Sequence, residues 1–164
     1  MQNTLEKIAK ILIKNHLRIA ATESCTGGLL SSKLTDVSGS SAFVHLNFVT
    51  YSNEAKHKIL GVRSETLDNF GAVSEECSYE MAQGLHNATG ADICISTTGI
   101  AGPTGGTPEK PVGLMYSTIY TAQRSITFNV LLPQDTPRIQ MKELFANSVI
   151  EKLYLFLENE HKDN

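Results

Sequence analysis

Two runs of alternating apolar and polar residues in the last third of the chain constrain its fold most. One covers residues 112–120, and the other places Ile126, Phe128, Val130 and Leu132 at every second position. A period of two suits a half-buried strand, and only a short segment around Gln123 separates the runs. Such a link predicts an antiparallel hairpin. Upstream the pattern changes. Asn3, with Glu6 three residues later, reads as a helix N-cap, and Leu5, Ile8 and Leu12 share one face, which predicts a helix over 4–15. Residues 18–22 are short and apolar enough for a buried strand, and Gly27-Gly28 then opens a second helix through Leu29, Leu30 and Leu34. A second strand is expected over 42–51 and short helical turns over 53–60 and 64–70.

Ser74 predicts the cap of a stronger helix, with Glu75 and Glu76 in the first turn, where negative charge is favoured. Ile93 and Ile95 mark a strand that enters Thr97-Thr98-Gly99. Pro137 suits the first turn of a last helix striped by Met141, Phe145, Val149 and Leu153. Helices before and after several strands, closed by a hairpin, predict a three-layer α/β/α sandwich. Its sheet is expected to be mixed, mainly parallel, with about five strands including the C-terminal hairpin.

The 164 residues suit a single domain over 1–164. A net charge of −3 and the lack of a basic stripe disfavour nucleic-acid binding. No apolar run approaches the roughly 18 residues that span a bilayer, and the N-terminus does not read as a signal peptide. Cys25, Cys77 and Cys94 are an odd number without metal spacing, so reduced thiols in a cytoplasmic protein are the simplest account. The five histidines are scattered, and no metal-ligand set is expected. Only His161-Lys162-Asp163-Asn164 reads as a frayed tail.

The segment most suggestive of chemistry is Ser38-Gly39-Ser40-Ser41 followed by Val49-Thr50-Tyr51-Ser52-Asn53-Glu54-Ala55-Lys56. A serine hydroxyl needs a neighbouring base to act as a nucleophile, and a lysine whose pKa is lowered can supply it. Spacing alone leaves two readings open: a catalytic constellation, or a turn followed by a polar strand end. Ser24-Cys25-Thr26-Gly27-Gly28, at a predicted strand-to-helix junction, offers backbone N–H groups to an anion but lacks the Gly-Lys-Ser/Thr of a P-loop. Cys25 also invites a thiol-nucleophile reading, though His16 and His45 lie in a helix end and a strand.

Taken together, Ala21-Thr22-Glu23-Ser24-Cys25-Thr26-Gly27-Gly28, Gly39-Ser40-Ser41, the Val49–Lys56 run, Gly71-Ala72-Val73-Ser74, Thr98-Gly99-Ile100-Ala101-Gly102-Pro103, Gly105-Gly106 and Lys110-Pro111-Val112-Gly113 resemble, in order, the CinA C-terminal-domain family. The resemblance implies a three-layered fold on a mixed five-stranded sheet. It also implies a nicotinamide-nucleotide amidase, which hydrolyses the carboxamide of nicotinamide mononucleotide to the nicotinate nucleotide and ammonia without a cofactor. In that reading Ser41 is the nucleophile, Lys56 the general base, and Tyr51, between them, relays or orients a proton.

Ser24, Thr26, Gly27 and Gly39 would bind substrate. Thr98 would contact the nucleotide, Gly99 and Ala101 would shape the pocket, and Arg138 would hold the phosphate. The role of Lys110 stays open. The resemblance further implies a homodimer or higher homo-oligomer, with Tyr154-Leu155-Phe156-Leu157 serving that interface or finishing the core. Two departures stand out: Asn47, where the family more often has glycine, and Asp135-Thr136-Pro137-Arg138, where Gly-Asp-Arg is usual. The alternative function is a non-catalytic nucleotide-binding or competence- and DNA-damage-associated interaction module.

Overall fold

A computed structural model describes residues 1–161. The elements run α1 (Gln2–Lys14), β1 (Ile19–Glu23), α2 (Leu29–Thr35), a 3-10 turn (Ser40–Ala42), β2 (Phe48–Val49), α3 (Asn53–Leu60), α4 (Ser64–Phe70), α5 (Glu75–Thr89), β3 (Ile93–Gly99), β4 (Leu114–Tyr120), β5 (Ser125–Leu131) and α6 (Arg138–His161). The sheet order is β2-β1-β3-β4-β5. β2 and β3 flank β1 in parallel, and β4 pairs antiparallel with both β3 and β5. Four strands therefore share one direction and β4 opposes them. The expected sandwich with its terminal hairpin is present. Lys162–Asn164 of the expected tail lie outside the described residues, and His161 closes α6.

Side-chain alternation builds the two faces. Ile19, Ala21, Ile93, Ile95, Met115 and Ile119 point into the larger core, against α1, α2 and α6. Met141, Phe145, Val149 and Leu153 of α6 are completely buried there. Burying each such side chain stabilises the fold by about 1.5–3 kcal/mol. Phe156 and Leu157 finish this core, while Leu155 stays exposed. The opposite face is smaller. Ala20 and Cys94 meet Cys77, Met81 and Leu85 of α5, with Leu60 of α3 beside them. A hydroxyl chain crosses this layer: Ser78 Oγ lies 2.9 Å from both Ser96 Oγ and Thr118 Oγ1, and Thr118 lies 2.8 Å from Thr127.

Two local expectations are corrected. Helix α1 starts at Gln2 with no side-chain cap, so Asn3 lies within it. The strand expected over 42–51 shrinks to Phe48–Val49. The chain does track β1 further back, since Ile19 N–H donates to Phe43 O at 2.8 Å and His45 N–H to Ile19 O at 2.9 Å. Between these contacts and β2, however, Ala21 N–H is met by the Asn47 side chain, Oδ1 at 2.8 Å, instead of a backbone carbonyl. A side-chain acceptor replaces one rung, so the ladder breaks there. This gives Asn47 a structural role that a glycine does not fill.

α3 carries Lys56, and its seating depends on one close approach. A Cβ at Gly84 of α5 would stand 1.8 Å from Leu60 O and 2.7 Å from its carbonyl carbon. Backbone cannot yield at that distance. Gly84→Ala is expected to destabilise the protein by at least about 1–3 kcal/mol through overpacking. Chemical denaturation of the variant beside wild type checks this; an unchanged midpoint would contradict the contact.

Candidate active site

Parallel strands β1 and β3 end side by side, and ligands of α/β sheets bind at such carboxyl ends. A cleft of about 270 Å³ opens there. Its lining includes Ser24 and Cys25 after β1, Tyr51 and Lys56 around the start of α3, Thr98 to Gly102 at the end of β3, and Arg138 at the start of α6. A larger hollow of about 580 Å³ runs along α5, lined by Glu75, Glu76 and Glu80 among others. Its arginine, Arg63, is paired with Glu80 at 2.6 Å, and no nucleophile stands beside a base in it. The Ser24–Lys56 contact lines the smaller cleft instead.

The junction that carries Ser24 is fixed by Glu23. This buried carboxylate accepts from Thr26 Oγ1 (2.6 Å), the N–H groups of Gly28 (3.0 Å), Leu30 (3.0 Å) and Ser31 (2.7 Å), and Ser31 Oγ (2.5 Å). The N–H groups expected to receive a ligand anion are therefore used by the protein's own carboxylate. Thr26 is fully buried, and its hydroxyl also lies 2.8 Å from Thr97 Oγ1. Thr26 thus holds the junction together, which corrects its expected substrate contact. Gly27, two residues beyond the cleft-lining Cys25, is exposed with φ +61°.

Lys56 is 1% exposed. Its Nζ lies 3.0 Å from each of three oxygens: Ser24 Oγ, Thr50 O and Tyr51 O. Burial lowers its pKa from the usual lysine value, and the thiols of Cys77 and Cys25 oppose this more weakly. A neutral amine has two N–H groups and one lone pair. With its two N–H groups given to the carbonyls, a neutral Lys56 would keep a lone pair free for the Ser24 O–H, whose oxygen lies 3.5 Å from Tyr51 O. This is the arrangement of a hydroxyl nucleophile and its base.

The other expected residues divide. Thr98 donates Oγ1–H to Ala72 O at 2.7 Å and lines the cleft. Gly99 lines it too, and a Cβ there would stand 2.7 Å from Leu114 O. Ala101 is 4% exposed and forms part of the wall. Arg138 donates to Gly102 O at 2.6 Å and to the Tyr51 phenol at 3.1 Å, joining the two sides of the cleft mouth. Tyr51 therefore does not stand between a serine and Lys56. Its carbonyl faces Lys56, while its 60% exposed side chain meets Arg138.

Ser41 is also placed elsewhere. It sits exposed on the 3-10 turn beside Ile19, at the start of β1, and Gly39 enters that turn with φ +85° against Ile13. At roughly 3.3 Å per residue, β1 separates Ser41 from the Ser24 end by about 16 Å. Within one chain, Lys56 therefore meets Ser24 and not Ser41. Lys110 donates to Phe70 O, strapping the loop after β3 to the end of α4.

Sequence reasoning gave Ser24 to substrate binding and missed its contact with Lys56. The available signal was its place immediately after a buried parallel strand. Among the described residues no group of three or more His, Cys, Asp or Glu side chains is placed to hold a metal ion, and no helix is long and apolar enough to cross a membrane.

Comparison with known proteins agrees with this architecture. The family model described as the CinA C-terminal domain matches residues 1–157. A CinA-like protein of Kosmotoga olearia is 46% identical over 156 residues, covering 94% of this chain and 38% of that protein. A competence-damage inducible protein of Thermoanaerobacter pseudethanolicus is 49% identical over 150 residues, covering 92% and 36%. The chain thus spans little more than a third of the length of these curated relatives. Among solved structures, the competence/damage inducible protein CihA of Agrobacterium tumefaciens superposes with a TM-score of 0.86 at 37% identity, covering 94% of this chain and 96% of that one. A CinA superfamily protein of Klebsiella pneumoniae gives 0.90 at 32% identity, covering 96% and 97%.

The geometry also bears on Cys25. Burial, helped by the nearby Glu23 charge, pushes its thiol up to about 12. A free thiol titrates near 8.5, so at pH 8 Cys25 carries on the order of a thousandfold less thiolate. Alkylation by iodoacetamide at pH 8 is expected to be slower in proportion, followed by mass spectrometry of the intact protein. Labelling at the rate of a free cysteine would restore the thiol as a candidate nucleophile.

Proposed function

The chain belongs to the CinA C-terminal domain family, and from that premise we propose that it is an amidohydrolase acting on nicotinamide mononucleotide. The observation that carries the reading is the 3.0 Å approach of Ser24 Oγ to the buried Lys56 amine, whose N–H groups are held by two backbone carbonyls. Neutral Lys56 takes the Ser24 proton as Oγ attacks the carboxamide carbon. The tetrahedral intermediate expels ammonia, protonated by the Lys56 ammonium, and leaves an acyl ester on Ser24. Water, deprotonated by the same amine, hydrolyses the ester to the nicotinate nucleotide and restores the hydroxyl. A Ser–Lys pair is one of the recurring forms of this arrangement.

A second reading keeps Ser41 as the nucleophile. The chain between Ser41 and Tyr51 forms one edge of the sheet, where Leu46, Val49 and Tyr51 are 43%, 53% and 60% exposed. Two copies meeting antiparallel along this edge would bring Ser41 of one beside the Lys56 cleft of the other. Alanine substitution separates the two serines. With Ser24 as nucleophile, Ser24→Ala and Lys56→Ala each lower ammonia release from nicotinamide mononucleotide by at least about a hundredfold, and Ser41→Ala changes it little. The reverse order for the serines would select the second reading. Absence of release from folded wild type, with nucleotide binding retained, would select a non-catalytic binding module.

The pH profile gives an independent check. The base acts when deprotonated, so kcat/KM rises with pH and levels off above the Lys56 pKa. Because burial lowers that pKa, the rise is expected below the ordinary lysine value of about 10.4. A wild-type profile whose only rising limb lies at or above that value would contradict the assignment of Lys56 as base.

A further inference from the structure

If the cleft takes a nucleotide, as proposed above, something must receive the phosphate, and the start of α2 is not free to do so. The N–H groups of Gly28, Leu30 and Ser31 are donated to Glu23, that of Gly27 to Ser24 O, and that of Leu29 to Thr26 O. With the start of α2 occupied, side-chain cations on α6 are well placed to meet a dianion here. Arg138 is one of them. Its neighbour one turn along α6 is Lys142, and residues four apart share a helix face.

Lys142 Nζ stands over the exposed backbone of Gly27, 3.3 Å from the point a Cβ would occupy. No hydrogen bond or ion pair engages this ammonium among the described residues. The adjacent Glu143 is 3.0 Å from Lys33 and does not neutralise it. Gly27 leaves the space beside the ammonium open, because a side chain there would press on it.

We infer that Lys142 is a specificity-determining residue which, with Arg138, receives the phosphate monoester of the substrate, so that the cleft selects a nucleoside monophosphate over the corresponding nucleoside. The two cations divide the work. Arg138 is committed in part to Gly102 O and the Tyr51 phenol, and its fork orients the anion. Lys142 contributes a point charge on a flexible stem, able to follow the phosphate as it seats. Neither touches the Ser24–Lys56 pair, so the effect of Lys142 falls on binding rather than on the chemical step.

The test compares Lys142→Gln and Lys142→Arg with wild type on nicotinamide mononucleotide and on its dephosphorylated nucleoside. Lys142→Gln is expected to raise KM for the mononucleotide about tenfold with kcat within about twofold, to leave the nucleoside's kcat/KM unchanged, and to weaken competitive inhibition by inorganic phosphate. Lys142→Arg is expected to recover most of the loss. An equal loss on both substrates, or no change on either, would overturn the assignment. If wild type hydrolyses neither compound, the amidase reading fails. Calorimetric binding of the mononucleotide to wild type and Lys142→Gln then decides the anion role separately: weaker binding by the variant supports it, and equal binding overturns it.

Discussion

The buried carboxylate of Glu23 organises the end of the sheet on which the cleft is built. Among the described residues no cation pairs with it, and it is met by N–H and O–H donors from the turn and first residues of α2. Burying an ionised carboxylate is costly unless its lone pairs are filled, and here five donors fill them. The reward is positional. The chain must leave β1 and turn into α2 along one path, and Ser24 stands on that path. The same contacts occupy the N–H groups at the start of α2.

Lys56 is the mirror case, a cationic side chain buried without a carboxylate. Two main-chain carbonyls from the segment just before α3 take the place of a counter-ion. Carbonyl dipoles hold the amine in place without stabilising its charged form as a full negative charge would. Burial is then free to favour the neutral amine. An aspartate in the same place would have anchored the lysine equally well but favoured its charged form.

Periodicity and cap chemistry made much of the fold legible. The β4–β5 strand pair, the Ser74 cap of α5 and the stripe on α6 rest on local signals, and each lies where the sequence places it, though β4 is buried on both faces. The failures share a cause: each turned on a partner distant in sequence. The edge strand was read too long because the Asn47 side chain takes a rung from Ala21, 26 residues away. Thr26 and the α2 amides looked open to a ligand because nothing local shows that Glu23 folds back onto them. Tyr51 was placed between serine and lysine because its carbonyl, which does face Lys56, is invisible to a reading by side-chain type. Motif resemblance identified most of the cleft, from Ser24 through Arg138, yet it could not tell which serine meets the lysine within a single chain.

The interrupted edge also bears on colloidal behaviour. A sheet edge with a regular row of free N–H and C=O groups is a template for further strands and a route to aggregation. Here that row lasts only for Phe48–Val49, because the chain departs from strand geometry on either side. Copies that meet along this edge must do so mainly through Leu46, Val49 and Tyr51, where fit depends on side-chain shape. Contact of that kind is selective and reversible, whereas strand addition propagates without limit.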